Sequence, residues 1–231
     1  TTDKLEHHLE RAEESKLRWQ PQETGFSYVV EAAGSRSDWL DANAAPFGIV
    51  NETLAARISP RAYLASLASF VRQNGSLREG VEAVGYDDAT QTVLLADGHA
   101  SVKTRQFAVS GGFAAFDLIE TLTGERIGRG EKGQALVLEG KGLEDRPAIY
   151  CDGLYVVPHD DGTVAIGSTS DREFEDAAPS PARSAELLER ATAFCPKLKG
   201  REVLSDWAGI RPRNHRRDPL AGKMPGLDPA F

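Results

Sequence analysis

The stretch Gly128-Arg129-Gly130-Glu131-Lys132-Gly133 is the only G-x-G-x-x-G in the chain, and its flanks constrain the fold more than any other feature. A dinucleotide cradle needs a strand before the first glycine and a helix after the last, so that free N–H groups at the helix N-terminus meet the pyrophosphate. Here "LIETLTGERI", polar, helix-like and broken at Gly124, comes first, and "QALVLE" follows. In the latter Ala135 and Val137 alternate with Leu136 and Leu138, as in a short buried strand. A glycine-rich loop feeding a strand is the favoured reading over a phosphate cradle. No helix opens behind these glycines, so a bound nucleotide would have to sit elsewhere.

The other elements follow from caps and periodicity. Residues 1–57 show few periodic signals beyond an acidic, helical opening that ends near Gly25. Ser59-Pro60 offers an N-cap with proline at the first helical position, Leu64, Leu67, Ala68 and Val71 share one face, and Asn74-Gly75 closes a helix over 60–74. Beyond it "SLREGVEAVGYD", "QTVLLADG" and "ASVKTRQFAVSGG" read as successive strands, with Asp97-Gly98 as the turn between the second and third. In the second half "AIYCDGLYVVP" and "GTVAIGSTS" are strand-like runs joined by "HDDG". A helix opening at Ser180-Pro181 carries Leu187, Leu188, Ala191, Phe194 and Cys195 at helical spacing and stops at Pro196, before "EVLSDWAGIRP". Strands, helix and strand in this order predict an α+β fold with a mixed or antiparallel sheet and flanking helices.

A chain of 231 residues with 40% apolar residues can fill a core, as one large domain or two intertwined ones. Its net charge of −8 speaks against nucleic acid as a partner, because phosphate binding calls for a basic surface. No window approaches the roughly 18 apolar residues of a bilayer span, and the charged N-terminus is unlike a signal, so no membrane partner is expected. Cys151 and Cys195 lie far apart without metal-ligand spacing, which favours two free thiols in a reducing cytoplasm over a catalytic thiol. His7, His8 and His99 form no nucleophilic or metal pattern. Thr1 is not a start methionine and "PGLDPAF" ends without a closing element, so the expectation is a chain cut at both ends.

The densest basic cluster is Arg211-Pro212-Arg213-Asn214-His215-Arg216-Arg217. Without interleaved aromatics it is a poor nucleic-acid patch. A planar guanidinium binds a carboxylate through two parallel hydrogen bonds, and Arg211, behind the apolar "WAGI" and stiffened by Pro212, suits a buried anchor for a small acid. Arg213, Arg216 and Arg217 fit a solvated loop better. Tyr155 shares a strand face with Val157, and tyrosine's preference for half-buried strands favours a core place over a ligand role. His159 and Asp160 fall in the turn after it, facing solvent.

Taken together and in order, "GLYVVPHDDGTVAIGSTSDREFED", "CPKL" and "WAGIRPRNHRRDPLAGKMPG" resemble the FAD-dependent D-amino-acid oxidase family, in particular its glycine oxidase and sarcosine oxidase-like branch. Upstream, "LAARISPRAYLASLASFVRQNG" and "FAVSGG" are similar to the family's long helix and its turn beside the cofactor, so the likeness covers roughly residues 47–226. The resemblance implies that residues 1–57 and 119–208 belong to a substrate domain, 58–118 to the distal part of an FAD-binding domain, and 209–231 to the return toward that domain. It implies that Arg211 and Tyr155 hold a substrate carboxylate, and that Val81, Ser110 and Gly111 flank FAD. It also implies that the cofactor's own G-x-G-x-x-G lies in a βαβ unit N-terminal to this region, so that full-length protein is yellow and residues 1–231 alone are colourless. The activity implied is oxidation of the C–N bond of an amino acid or secondary amine carrying a carboxylate, by hydride transfer to flavin N5, with no catalytic acid or base. The alternative is a non-catalytic binding module derived from the substrate domain.

Overall fold

The computed structural model describes residues 6, 7, 9, 10, 13, 14, 27–32, 38–53, 55–215 and 220–224. Among these, the elements are strands β1 (Tyr28–Glu31) and β2 (Ile49–Glu52), helix α1 (Pro60–Asn74), strands β3 (Ala83–Asp87), β4 (Thr92–Leu95) and β5 (Val102–Lys103), helix α2 (Ala115–Thr123), strands β6 (Gly128–Glu139), β7 (Ile149–Cys151), β8 (Leu154–Pro158) and β9 (Thr163–Gly167), helix α3 (Pro181–Phe194) and strand β10 (Val203–Asn214). A two-stranded sheet β1-β2, a three-stranded sheet β3-β4-β5 and a five-stranded sheet β10-β6-β9-β8-β7 make the fold α+β, as the element order predicts. His8, Gly25, Arg216 and Arg217 lie outside the described residues.

The chain divides into two compact units. The first comprises Thr1–Pro60, Gln134–Thr169 and Pro179–Trp207, and the second Arg61–Gly133, Ser170–Ala178 and Ala208–Phe231. In the first, Leu136, Leu138, Leu154, Val156, Val164 and Ile166 supply the apolar face of antiparallel strands, and Leu187, Ala191 and Phe194 supply the matching face of α3. The period of two and the period of 3.6 meet in one core. Ser180 is extended at the α3 N-cap with Pro181 next, and its N–H donates to buried Gln134 Oε1 at 2.7 Å while Gln134 Nε2 donates to the Ser180 carbonyl at 2.9 Å. The helix start is thus fixed by a side chain from β6.

"AIYCDGLYVVP", read above as one run, is two strands. Asp152 (φ 46°) and Gly153 (φ 80°) form a two-residue turn between β7 and β8, a pairing of residue types that suits left-handed backbone.

In the second unit, β3, β4 and β5 form the expected antiparallel meander, turning at Asp97 (φ 54°) and Gly98 (φ 74°). Helix α2 ends where expected, at left-handed Gly124, whose N–H donates to the Glu120 carbonyl at 2.8 Å. Helix α1 has the predicted bounds, and Leu64, Leu67 and Val71 on its apolar face are exposed. One expectation fails: the glycines at 128, 130 and 133 form no loop but are strand residues of β6. A Cβ at Gly128 would stand 2.6 Å from the Arg213 carbonyl oxygen and 2.7 Å from Phe116 Cζ, and one at Gly130 would stand 2.6 Å from Ile210 Cγ2. Close packing against α2 and β10, not turn geometry, requires glycine there.

Candidate functional site

Within the second unit, alternation puts Glu131 and Gly133 on one face of β6, and Arg211 and Arg213 on one face of β10. Glu131 is 2% exposed. Its Oε2 accepts from Arg213 Nη1 at 2.6 Å, and its Oε1 accepts from the Ser170 hydroxyl. The Arg211 guanidinium lies over Gly133, where an added Cβ would come within 3.2 Å of its Cζ and Nη2. The Ser170 hydrogen bond, then the Arg213 and Arg211 charges, hold the Glu131 carboxyl below the usual carboxylate range against the opposing effect of burial. Glu131 is therefore an ion at neutral pH, and a buried ion is tolerable only because it is paired and hydrogen-bonded.

Two sequence expectations change here. Arg213, expected in a solvated loop, is a strand residue tied to a buried carboxylate; Arg211, expected to be buried, is the exposed one. The reason is the register of β10, which continues through Pro212 to Asn214 and sets the pair side by side. Glu131 and Ser170 were missed. No local signal marked them, because the partners of Glu131 lie 39 and 82 residues away in the chain.

A second feature of this unit is a cavity of about 560 Å³ walled by Val109, Ser110 and Gly112, by Phe116 of α2, and by Pro212 and Arg213. Gly111 and Gly112 (φ +63°) lead into α2 through a short 3-10 turn, and neither N-cap position carries a side-chain hydrogen bond. At Gly112 the cavity wall is backbone without a side chain, which fits close approach of a polar cofactor segment. Val81 is half-buried just ahead of β3 and is not among the residues walling this cavity.

In the first unit, Tyr155 stands on β8 with 54% of its surface exposed, on the face opposite buried Leu154 and Val156. This corrects the core reading. It is paired across the β7–β8 hairpin with Tyr150, their rings 4.7 Å apart and tilted by 44°. Tyr150 was missed because the Asp152-Gly153 turn was not separated from the run around it. Asp160, in the turn after β8, is exposed and pairs with Arg57 at 2.6 Å. Burial and the nearby Cys151 push the Cys195 thiol up to about 12, so it stays protonated at neutral pH.

The family described as FAD dependent oxidoreductase (DAO) matches residues 4–229. A glycine oxidase from Pseudomonas putida is 30% identical over 158 residues, 66% of this chain and 42% of the relative; one from Pseudomonas aeruginosa is 27% identical over 169 residues, 73% and 46%. The chain thus spans less than half the length of these curated relatives. Among solved structures, glycine oxidase from Geobacillus kaustophilus superposes with a TM-score of 0.78 at 20% identity, covering 91% of this chain and 58% of that one. Iminodiacetate oxidase from Chelativorans sp. BNC1 gives 0.79 at 21% identity, covering 99% and 61%. The structural likenesses establish the fold, and the family match across nearly the whole sequence establishes that the chain belongs to the DAO family of FAD dependent oxidoreductases.

Proposed function

We propose that this chain is part of an FAD-dependent oxidoreductase that oxidises the C–N bond of a small amino acid or secondary amine carrying a carboxylate. The observation that carries the reading is the pair Arg211 and Arg213 on one face of β10, poised around a single buried carboxylate. Arg211 presents its exposed guanidinium to the substrate carboxylate and fixes the α-carbon by a two-pronged, charge-assisted contact. Tyr155, exposed and braced by Tyr150, is assigned to substrate binding on the part of the first unit. Ser110, Gly111 and Val81 hold part of the cofactor. The bound flavin supplies the acceptor for a hydride leaving the α-carbon at N5. The free cysteines suit a reducing compartment such as the cytoplasm.

The test is steady-state kinetics on flavin-loaded full-length enzyme. Because Arg211 is exposed, Arg211→Ala should cost what a hydrogen bond to a charged group is worth, about 1.5–3 kcal/mol, or roughly ten- to two-hundred-fold in kcat/KM. Arg211→Lys should recover little, since an ammonium lacks the planar fork. Unchanged kcat/KM in Arg211→Ala would remove the carboxylate anchor and with it the proposed substrate class.

A further inference from the structure

Two thiols, one on the β7–β8 hairpin and one at the end of α3, belong to the same core layer of the first unit. Cys151 closes β7 and stands opposite Leu154 in the antiparallel register. Directly opposed residues share a face, so the Cys151 side chain lies on the side of wholly buried Leu154 and not on that of Tyr150. Leu187, Ala191 and Phe194 of α3 join Leu154 in one core, and Cys195, which caps the helix, is buried with them. Cys151 packs against this core while keeping part of its surface in solvent. Hairpin and helix are also tied beside the thiols, where Arg190 Nη2 donates to the Asp152 carbonyl at 2.8 Å. The two sulfurs are near enough that charge on Cys151 acts on the Cys195 thiol.

They differ as an attacking thiol differs from a resolving one. Cys151 is within reach of a small oxidant; Cys195 is buried and protonated, and a protonated thiol is a poor nucleophile toward peroxide. We propose that Cys151 and Cys195 form a peroxide-oxidisable dithiol, in which oxidation closes a disulfide that clasps the β7–β8 hairpin to the end of α3. The Cys151 sulfur attacks one oxygen of hydrogen peroxide; the O–O bond breaks, one water leaves and a sulfenic acid remains. The Cys195 sulfur then attacks the Cys151 sulfur, so that the S–O bond breaks and the S–S bond forms. The departing hydroxide takes the Cys195 proton and leaves as the second water, so the high affinity of Cys195 for its proton does not call for a separate base. Two thiols lose two electrons and one peroxide gains them. Thiol reductants reverse the step by exchange.

The test is peptide mapping of flavin-loaded full-length protein exposed to hydrogen peroxide at neutral pH. Remaining thiols are blocked with N-ethylmaleimide in urea, and digestion is carried out without reductant. A peptide pair joining Cys151 to Cys195, separated by dithiothreitol, is expected. In Cys195→Ser the Cys151 sulfenic acid should persist and be trapped by dimedone. In Cys151→Ser the loss of the Cys195 thiol should slow at least about tenfold against wild type, because its thiolate is scarce. Two thiols oxidised independently would show no such dependence of one on the other. Should either variant fail to fold, the wild-type map at rising peroxide decides the matter alone. Oxidation of Cys151 to the sulfinic acid with Cys195 still a thiol overturns the inference, as does a link from Cys151 to any other cysteine. So does a Cys151–Cys195 link that appears only when peroxide is added in urea, or survival of both thiols under peroxide that fully oxidises a thiol peptide in the same tube.

Discussion

At the scale of single residues, the glycines of β6 show how a motif can be right in letters and wrong in meaning. Gly128 and Gly130 are extended strand residues whose missing Cβ atoms admit the Arg213 carbonyl, Phe116, Ile210 and Phe113. Gly130→Ala should therefore destabilise by about 1–3 kcal/mol, the usual cost of overpacking, read as a lower urea midpoint with an unchanged slope. Gly128→Ala should cost at least as much, because its nearest neighbour is backbone and cannot rotate away. Flavin content per folded molecule should not change in either variant of the full-length enzyme. The spacing of residues showed that no helix follows these glycines, but not that a strand begins at the first of them, because close approach of other elements leaves no local trace in the sequence. Arg211 is readable as a candidate anchor from its type and position, but its exposure on β10 was not. Its neighbour Glu131 was not, since a carboxylate in a strand declares itself only when its partners, 39 and 82 residues away, are in place.

At the scale of elements, α1 and α3 make a controlled pair. Both follow a Ser-Pro start and both repeat apolar residues at helical spacing, and their predicted limits agree with the structure. Their fates differ. Leu187 and Ala191 of α3 are wholly buried, while Leu64 of α1 is 63% exposed. Periodicity reveals that a helix has an apolar face; what covers the face is decided by chain elsewhere and was not readable. In residues 1–231, Leu187→Ala should cost about 2–5 kcal/mol, the range for cavities in cores. Leu64→Ala should stay within about 0.5 kcal/mol, as for a surface position. Paired chemical denaturation curves check both values. A large loss for Leu64→Ala would show that its face is covered in solution.

At the scale of the whole molecule, Asp38 joins the three stretches of the first unit. It accepts from Arg146 and, at 2.7 Å, from Lys197, which belong to the second and third stretches. The Arg146 hydrogen bond, with that of Lys197 next, lowers the Asp38 carboxyl from 3.8 to about 2. Its folded-state value is the lower one, so its contribution to stability is complete above the unfolded value and is lost as pH falls through the folded one. The gap in thermal midpoint between wild type and Asp38→Asn should hold above pH 3.8 and close toward pH 2. A gap that persists at pH 2 would mean that the variant lost packing and not charge. Added salt should also narrow it, since the side chain is exposed and its charge is screened. The path of the chain has a further consequence, for how such a protein can be inherited and made. The boundaries between the two units fall after residues 60, 133, 169, 178 and 207, so no continuous stretch of gene encodes either unit. A single recombination event between relatives would deliver neither one whole, and a ribosome must release pieces of both in turn before the first can close at Trp207.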